Sequence, residues 1–278
     1  MTLPSQRDAS LIDALGEAAL TAARAAAAYI QSRAGDLAIL DWRAKARADF
    51  VSDVDVGAET RIAEHLRRAF PAADIVGEEL SPAAALTSDL AFIVDPLDGT
   101  TNFLHGYPQY AVSIAAVSGG ELVAGCVFDV ARGSAYTATR GGGAWRDNVP
   151  MRVSTIADPG RALIGTGFPF KQPERIAHYL QQLGQVMRRT AGARRAGAAA
   201  LDLTDVASGR LDAFWELMLA PWDVAAGLLI IREAGGRVTD LEGRDALPVH
   251  GPIVASNDLL HDWLLELLGR PDEGTSSS

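Results

Sequence analysis

A stretch just past the first hundred residues carries the feature that most limits the fold of this chain. The stretch "YAVSIAAVSGGELVAGCVFDVARGSAYTATRGGG" sets apolar β-forming runs between Gly-Gly and Arg-Gly turns. Runs joined this tightly pair with their immediate neighbours, so the spacing predicts a meander of antiparallel strands. After Pro150 the pattern changes to alternation. Strands are expected near 162–166, over "LDAFWEL", near 236–240 and over "PIVASN", and helices near 173–189, 198–208, 223–234 and 257–268. Upstream, the Ala-rich residues 9–34, closed by Gly35, and residues 54–69, closed before Pro71, read as two further helices. A strand-rich half beside an alternating half predicts a layered α/β (α+β) sandwich, α-β-α-β-α, because each sheet face must be covered. At 278 residues the chain is near the upper limit for one hydrophobic core. A soft boundary at 150 divides it into an N-terminal lobe over 1–149 and a C-terminal lobe over 150–278.

The net charge of −10 argues against general attraction to nucleic acid or anionic membrane. A single cysteine, Cys126, excludes an internal disulfide framework and fits a reducing cytosol. No apolar run reaches the roughly 18 residues of a membrane span. The opening "MTLPSQRDAS" lacks the basic and apolar regions of a signal peptide. A cytoplasmic protein is expected.

Against that background, acids concentrate where their flanks look buried: Glu78 and Glu79 in "IVGEEL", Asp95 and Asp98 in "FIVDPLDGTTNF", and Asp223 in "APWDVAAG". Buried carboxylates are costly unless paired or bound to metal. No Lys or Arg lies between Glu78 and Phe103. Hard divalent cations favour such oxygen ligands, and Mg²⁺ commonly shares phosphate oxygens. Gly99 permits close backbone approach, and the N–H groups of Gly99, Thr100 and Thr101 at a helix start could cradle an anion. Each piece alone has a plainer reading: Asp98-Gly99 as a turn, Glu78-Glu79 as solvated surface, Asp223 as a helix cap.

The whole of "DPLDGTTNF", however, resembles the signature of the inositol monophosphatase family, closest to its bacterial inositol-1-monophosphatase branch. "DFVSDVDVGAE", "IVGEE", "GFPF", "GAAALDLTDVASGRLDAFWE" and "PWDVAAGLLIIREAGG" resemble further family segments in family order, from about residue 10 to 268. The resemblance implies a Mg²⁺-dependent, lithium-sensitive phosphomonoesterase that hydrolyses inositol-1-phosphate, with two to three Mg²⁺ per site and no phosphoenzyme. One cation would take Glu78, Asp95, the Leu97 carbonyl and Thr100. A second would take Asp95, Asp98 and Asp223. Thr100, oriented by Asp49, would position the attacking water, with Glu79 in support. Gly99, Thr100, Thr101, Gly197, Ala198, Ala199 and Glu216 would meet the substrate. It also implies a homodimer.

An aspartyl-nucleophile phosphatase of the haloacid dehalogenase class needs Asp-x-Asp-Gly-Thr, whereas Asp95 and Asp98 are three apart. "RGGGAWRD" lacks the Lys-Ser/Thr of a P-loop. Histidinol phosphate, or another sugar or nucleotide phosphate of the family, is the alternative substrate. A different role, as a protein partner of the transcription machinery, is suggested by the basic "RRTAGARR" (188–195), although a solvated helix end and loop is the simpler reading; Arg194 or Arg195 could instead stand at the rim of the active site or at the dimer contact.

Overall fold

The structure is a computed structural model that describes residues 6–35, 42–46, 49–84 and 87–269. Helix α1 (Gln6–Arg33) is followed by a hairpin of β1 (Trp42–Ala46) and β2 (Asp49–Ser52), and then α2 (Asp53–Ala69). The small side chains of α1 (Ala19, Ala22, Ala23, Ala26 and Ala27) recur at helical spacing with Leu15 and Ile30 and are fully buried. They let this helix lie close against its neighbours. Ser52 caps α2, accepting the Val54 N–H on its hydroxyl, while Asp55 accepts the Ser52 N–H at 2.8 Å.

Seven strands then form the first sheet in sequential order: β3 (Asp74–Gly77), β4 (Leu90–Asp98), β5 (Ala111–Ser118), β6 (Glu121–Asp129), β7 (Ser134–Thr139), β8 (Gly143–Arg146) and β9 (Val149–Pro150). The first pair is parallel and the rest antiparallel, the meander expected from the turn spacing. A five-residue helix, α3 (Thr100–Leu104), interrupts the path between β4 and β5.

Beyond Pro150 come β10 (Leu163–Thr166), α4 (Ile176–Arg189), β11 (Gly192–Arg194), α5 (Ala199–Ala207), β12 (Ala213–Leu219), α6 (Pro221–Glu233), β13 (Arg237–Thr239), β14 (Gly251–Ser256) and α7 (His261–Gly269). The five strands form a second sheet in the order β11-β10-β12-β14-β13. The last helix starts at His261 rather than 257 because Asp258 takes a left-handed φ of 70°, which no helical residue adopts.

Three apolar clusters fill the gaps between layers. One joins α1 and α2 to the first sheet, and the second is built on α5 and α6 between the sheets. In the third, α4 and α7 cover the outer face of the second sheet. There Tyr179 stacks on Trp215 at 5.8 Å, and the Trp215 Nε1–H donates to Gln182 Oε1 at 3.2 Å. The architecture is the α-β-α-β-α sandwich expected from the pattern. Among the described residues, no helix is long and apolar enough to cross a membrane.

Candidate active site

The apolar run Ala91–Val94 keeps β4 buried between layers, and the strand then loses register. Asp95 faces Ser113 and Asp98 faces Ala111, three steps on β4 against two on β5, which is a β-bulge. Pro96 suits the bulge because it has no N–H to place in the ladder. The Leu97 N–H turns inward and donates to Asp95 Oδ1 at 2.9 Å. Gly99 follows in the left-handed region, φ 88°, and a Cβ there would lie 2.8 Å from the Gln109 carbonyl oxygen. Turn and carboxylate display are thus one structure.

The other acids arrive from element ends. Asp98 Oδ2 accepts the Ala200 N–H at 2.7 Å, in the first turn of α5. Asp223, third residue of α6, reaches back to accept the Ala220 N–H at 2.6 Å, so it caps its helix and lines the cleft at once. Glu78 and Glu79 follow β3, where Lys45 Nζ stands 2.9 Å from Glu78 Oε1 and 2.7 Å from Glu79 Oε1. Behind them the buried Glu59 accepts the N–H groups of Glu79 and Leu80 at 2.7 and 3.0 Å, fixing the turn that presents both.

The Thr100 hydroxyl lies 2.8 Å from Asp55 Oδ1 and 3.0 Å from the Leu97 carbonyl, so Asp55 holds it. The side chain of Asp49, the partner expected from the resemblance, lies outside the described residues. Asp55 is the third residue of α2, held by the Ser52 cap on one oxygen while the other faces Thr100. The Ser-x-x-Asp spacing in "SDVD" is a capping-box signal that could have singled out this acid.

Burial and mutual repulsion dominate the electrostatics. Burial, with Glu78, Asp98 and Asp223 nearby, holds the Asp95 carboxyl well above the usual range. Asp98 is pushed up to about 8 by burial and Asp223. Asp223 rises to about 7 through burial and Glu78. Glu79 rises to about 7 by burial, against the pull of Lys45. Burial works against the Lys45 charge, but Glu78 and Glu79 outweigh it and hold its ammonium above the ordinary lysine range. The centre is therefore short of positive charge, and its donors are hard oxygens, the set that suits Mg²⁺. Among the described residues, no group of three His, Cys, Asp or Glu side chains already stands close enough together to hold a metal ion.

These groups open on a cleft of about 430 Å³. Its lining includes Glu78, Asp95, Leu97, Asp98 and Asp223, and also Gly99, Thr100, Thr101, Gly197, Ala198, Ala199 and Glu216. Glu79 stands behind the wall, its side chain 5% exposed and paired to Lys45. Glu216 packs across Gly167, where any side chain would displace it, and burial beside Asp223 pushes its carboxyl up to about 8. Lys171, Arg195 and Asp202 line the same cleft and were not among the residues singled out from the substrate motifs. Segment 188–195 is not one basic patch. Arg188 and Arg189 end α4 and Arg194 is exposed on the edge strand β11, while Arg195 turns into the cleft between Phe168 and Phe170.

Comparison with known proteins agrees with this arrangement. A putative Nus factor SuhB of Neisseria meningitidis serogroup B is 44% identical over 250 residues, 90% of this chain and 96% of that protein. An inositol-1-monophosphatase of Rhizobium meliloti is 45% identical over 237 residues, 85% and 89% of the two chains. The crystal structure of the extragenic suppressor protein suhB from Bartonella henselae superposes with a TM-score of 0.87 at 40% identity, covering 91% of this chain and 98% of that one. The model of the inositol monophosphatase family matches residues 12–271. With the match running across both sheets and every acidic element of the cleft, the chain belongs to the inositol monophosphatase family.

Proposed function

We propose that the protein is a Mg²⁺-dependent phosphomonoesterase that releases phosphate from a small polyol phosphate of the inositol-1-phosphate type. The observation that carries this reading is the meeting of Glu78, Asp95, Asp98 and Asp223 with Thr100 and Glu216 on one cleft. Glu78, Asp95, Asp98 and Asp223, with the Leu97 carbonyl, would hold the Mg²⁺. When bound, the cation supplies Lewis acidity toward the phosphoryl group and acidifies water.

The chain's own groups do the positioning. Thr100 gives its proton to the Asp55 side, which leaves hydroxyl lone pairs free to accept from and orient a water. Gly99 and Thr101 let the phosphate approach the backbone, and Glu216 takes hydroxyls of the polyol. Asp95 is held by the Leu97 N–H and lies 1% exposed, which suits a fixed ligand rather than an attacking nucleophile and agrees with hydrolysis without a phosphoenzyme. Histidinol phosphate is the alternative substrate. The reading includes a cytoplasmic homodimer inhibited by lithium.

The test is phosphate release from inositol-1-phosphate, histidinol phosphate, fructose-1,6-bisphosphate and 3′-phosphoadenosine 5′-phosphate, each with and without Mg²⁺. Mg²⁺-dependent release strongest from inositol-1-phosphate is expected; no release from any of them refutes the enzyme reading.

A second role, as a protein partner in transcription, is supported by the Nus factor name of an equally similar relative and by the outer face of α4. That face exposes Ile176, Leu180 and Met187 beside Arg188. Capture of a transcription factor that is lost on Arg188→Ala/Arg189→Ala, with turnover intact, would establish it; equal capture by the variant would not.

A further inference from the structure

Asp202, the fourth residue of α5, is a cleft group that the proposed chemistry leaves unused. It lines the cleft and is only 2% exposed. Ala200, Leu201, Leu203 and Thr204 around it are buried as well, so α5 gives this side chain no outer face to turn to. An acid in the first turn of a helix ordinarily accepts a spare N–H or is hydrated. Here the neighbouring N–H groups are taken: Ala200 donates to Asp98 Oδ2 at 2.7 Å, and Asp202 gives its own N–H to the Ala198 carbonyl at 3.0 Å. Among the described residues no hydrogen bond and no close ion pair reaches the Asp202 carboxylate. The charges that act on it are Asp98, Glu216 and Asp205, which repel it, and Arg195, which attracts it. The same arginine attracts Glu216.

A buried carboxylate with no donor is costly, and a donor that arrives with the ligand removes that cost. A phosphate is not that donor, because two anions repel. A further cation is disfavoured by the Arg195 charge beside it. A hydroxyl is neutral and donates one hydrogen bond, and carboxylate oxygens have lone pairs for several. Because Arg195 acts on Asp202 and Glu216 together, two acids can share the wall that meets a polyol. We propose that Asp202 is a specificity-determining residue that accepts ring hydroxyls of the substrate beside Glu216, so that two carboxylates read the polyol. The inference rests on the phosphatase reading and deepens it: the alcohol of the ester must carry several hydroxyls.

The test uses inositol-1-phosphate and cyclohexyl phosphate, the same six-membered ring with and without its free hydroxyls. With Mg²⁺ present, Asp202→Ala should raise the KM for inositol-1-phosphate about tenfold, the scale of one hydrogen bond to a charged group, with kcat held within about twofold. The KM for cyclohexyl phosphate should move by less than about twofold in the same variant. Asp202→Asn should keep the KM for inositol-1-phosphate within about threefold of wild type, because its amide oxygen still accepts a hydroxyl. Circular dichroism checks the fold of each variant; if Asp202→Ala does not fold, Asp202→Val carries the same comparison. An equal change for both compounds, no change for inositol-1-phosphate, or an asparagine variant as weak as the alanine one overturns the proposal. If the wild type hydrolyses neither compound, the phosphatase reading falls separately. Calorimetric binding of the same pair then decides: a loss of about tenfold in Asp202→Ala confined to inositol-1-phosphate upholds the contact, and any other pattern refutes it.

Discussion

Replacing Gly99 by alanine tests whether the bulge and turn, rather than the acids alone, make the site. Two costs can be worked from the structure. At φ 88° an alanine pays the left-handed penalty, about 1–2 kcal/mol. Its Cβ would also stand 2.8 Å from the Gln109 carbonyl oxygen and 3.2 Å from Ala198 Cβ. Relieving that contact means moving backbone, an overpacking cost of about 1–3 kcal/mol. The sum of roughly 2–5 kcal/mol corresponds to a fall in Tm of about 5–15 °C for a chain of this size. Gly120→Ala supplies the control. It has φ 79° with nothing within 4 Å of the added carbon, so it carries the backbone penalty alone. Because Asp98 and Thr100 flank Gly99, the shift that relieves the clash re-aims both, and phosphate release should drop at least about a hundredfold. The measurements are thermal unfolding by circular dichroism and initial rates of phosphate release for both variants. If Gly99→Ala melts and turns over like Gly120→Ala, the close approach to Gln109 is not what holds the turn.

Two further outcomes follow from buried groups away from that turn. His261 is fully buried between Thr239 Oγ1 and Ser256 Oγ, each 2.9 Å away, and burial pushes its imidazole down to about 4. The folded state holds it neutral while the unfolded chain charges it below its ordinary 6.5, so its contribution is complete above 6.5 and is lost as pH falls toward 4. Urea denaturation of wild type and His261→Gln at pH 7.5 and 4.5 should show the difference between them shrinking by up to about 3 kcal/mol at the lower pH; a constant difference would contradict the assignment. Lys45→Met should tighten Mg²⁺ binding about fivefold in calorimetry without substrate, because the cation no longer competes with an ammonium worth ~1 kcal/mol on Glu78 and Glu79. Weaker binding would mean that Lys45 assists the cation instead.

How far these features could be read in advance depended on where the chain put them. Asp95, Leu97, Asp98, Gly99 and Thr100 sit within one short peptide, so a single turn had to bring them together wherever the sheet lay. The long helices and the meander were visible because their apolar periods are carried by many residues. Short pieces such as β1, β9 and β11 were not, since two to five residues without a buried face carry no period. Lys45 escaped because it lies 33 positions before Glu78, on a hairpin whose approach to the turn is purely tertiary. Asp55 shares "DFVSDVD" with Asp49, and only the cap at Ser52 shows that an Asp55 oxygen is turned toward Thr100. Arg195 reads from the sequence either as one more charge in a basic cluster or as a group at the rim of the active site, and nothing local announces that Phe168 and Phe170, over twenty residues away in sequence, meet it at the cleft.

The central claim, that the acidic turn holds a catalytic Mg²⁺, is tested most directly at Asp95. Its carboxyl is buried and bound to the Leu97 N–H, and an asparagine can keep that hydrogen bond while losing the charge. Initial rates of phosphate release from inositol-1-phosphate should be measured across a Mg²⁺ titration for wild type and Asp95→Asn, with circular dichroism on both. A saturable Mg²⁺ requirement in the wild type, and loss of turnover by at least about a thousandfold in a folded Asp95→Asn protein, is the result predicted. Turnover independent of Mg²⁺, or an Asp95→Asn enzyme as active as the wild type, would contradict it.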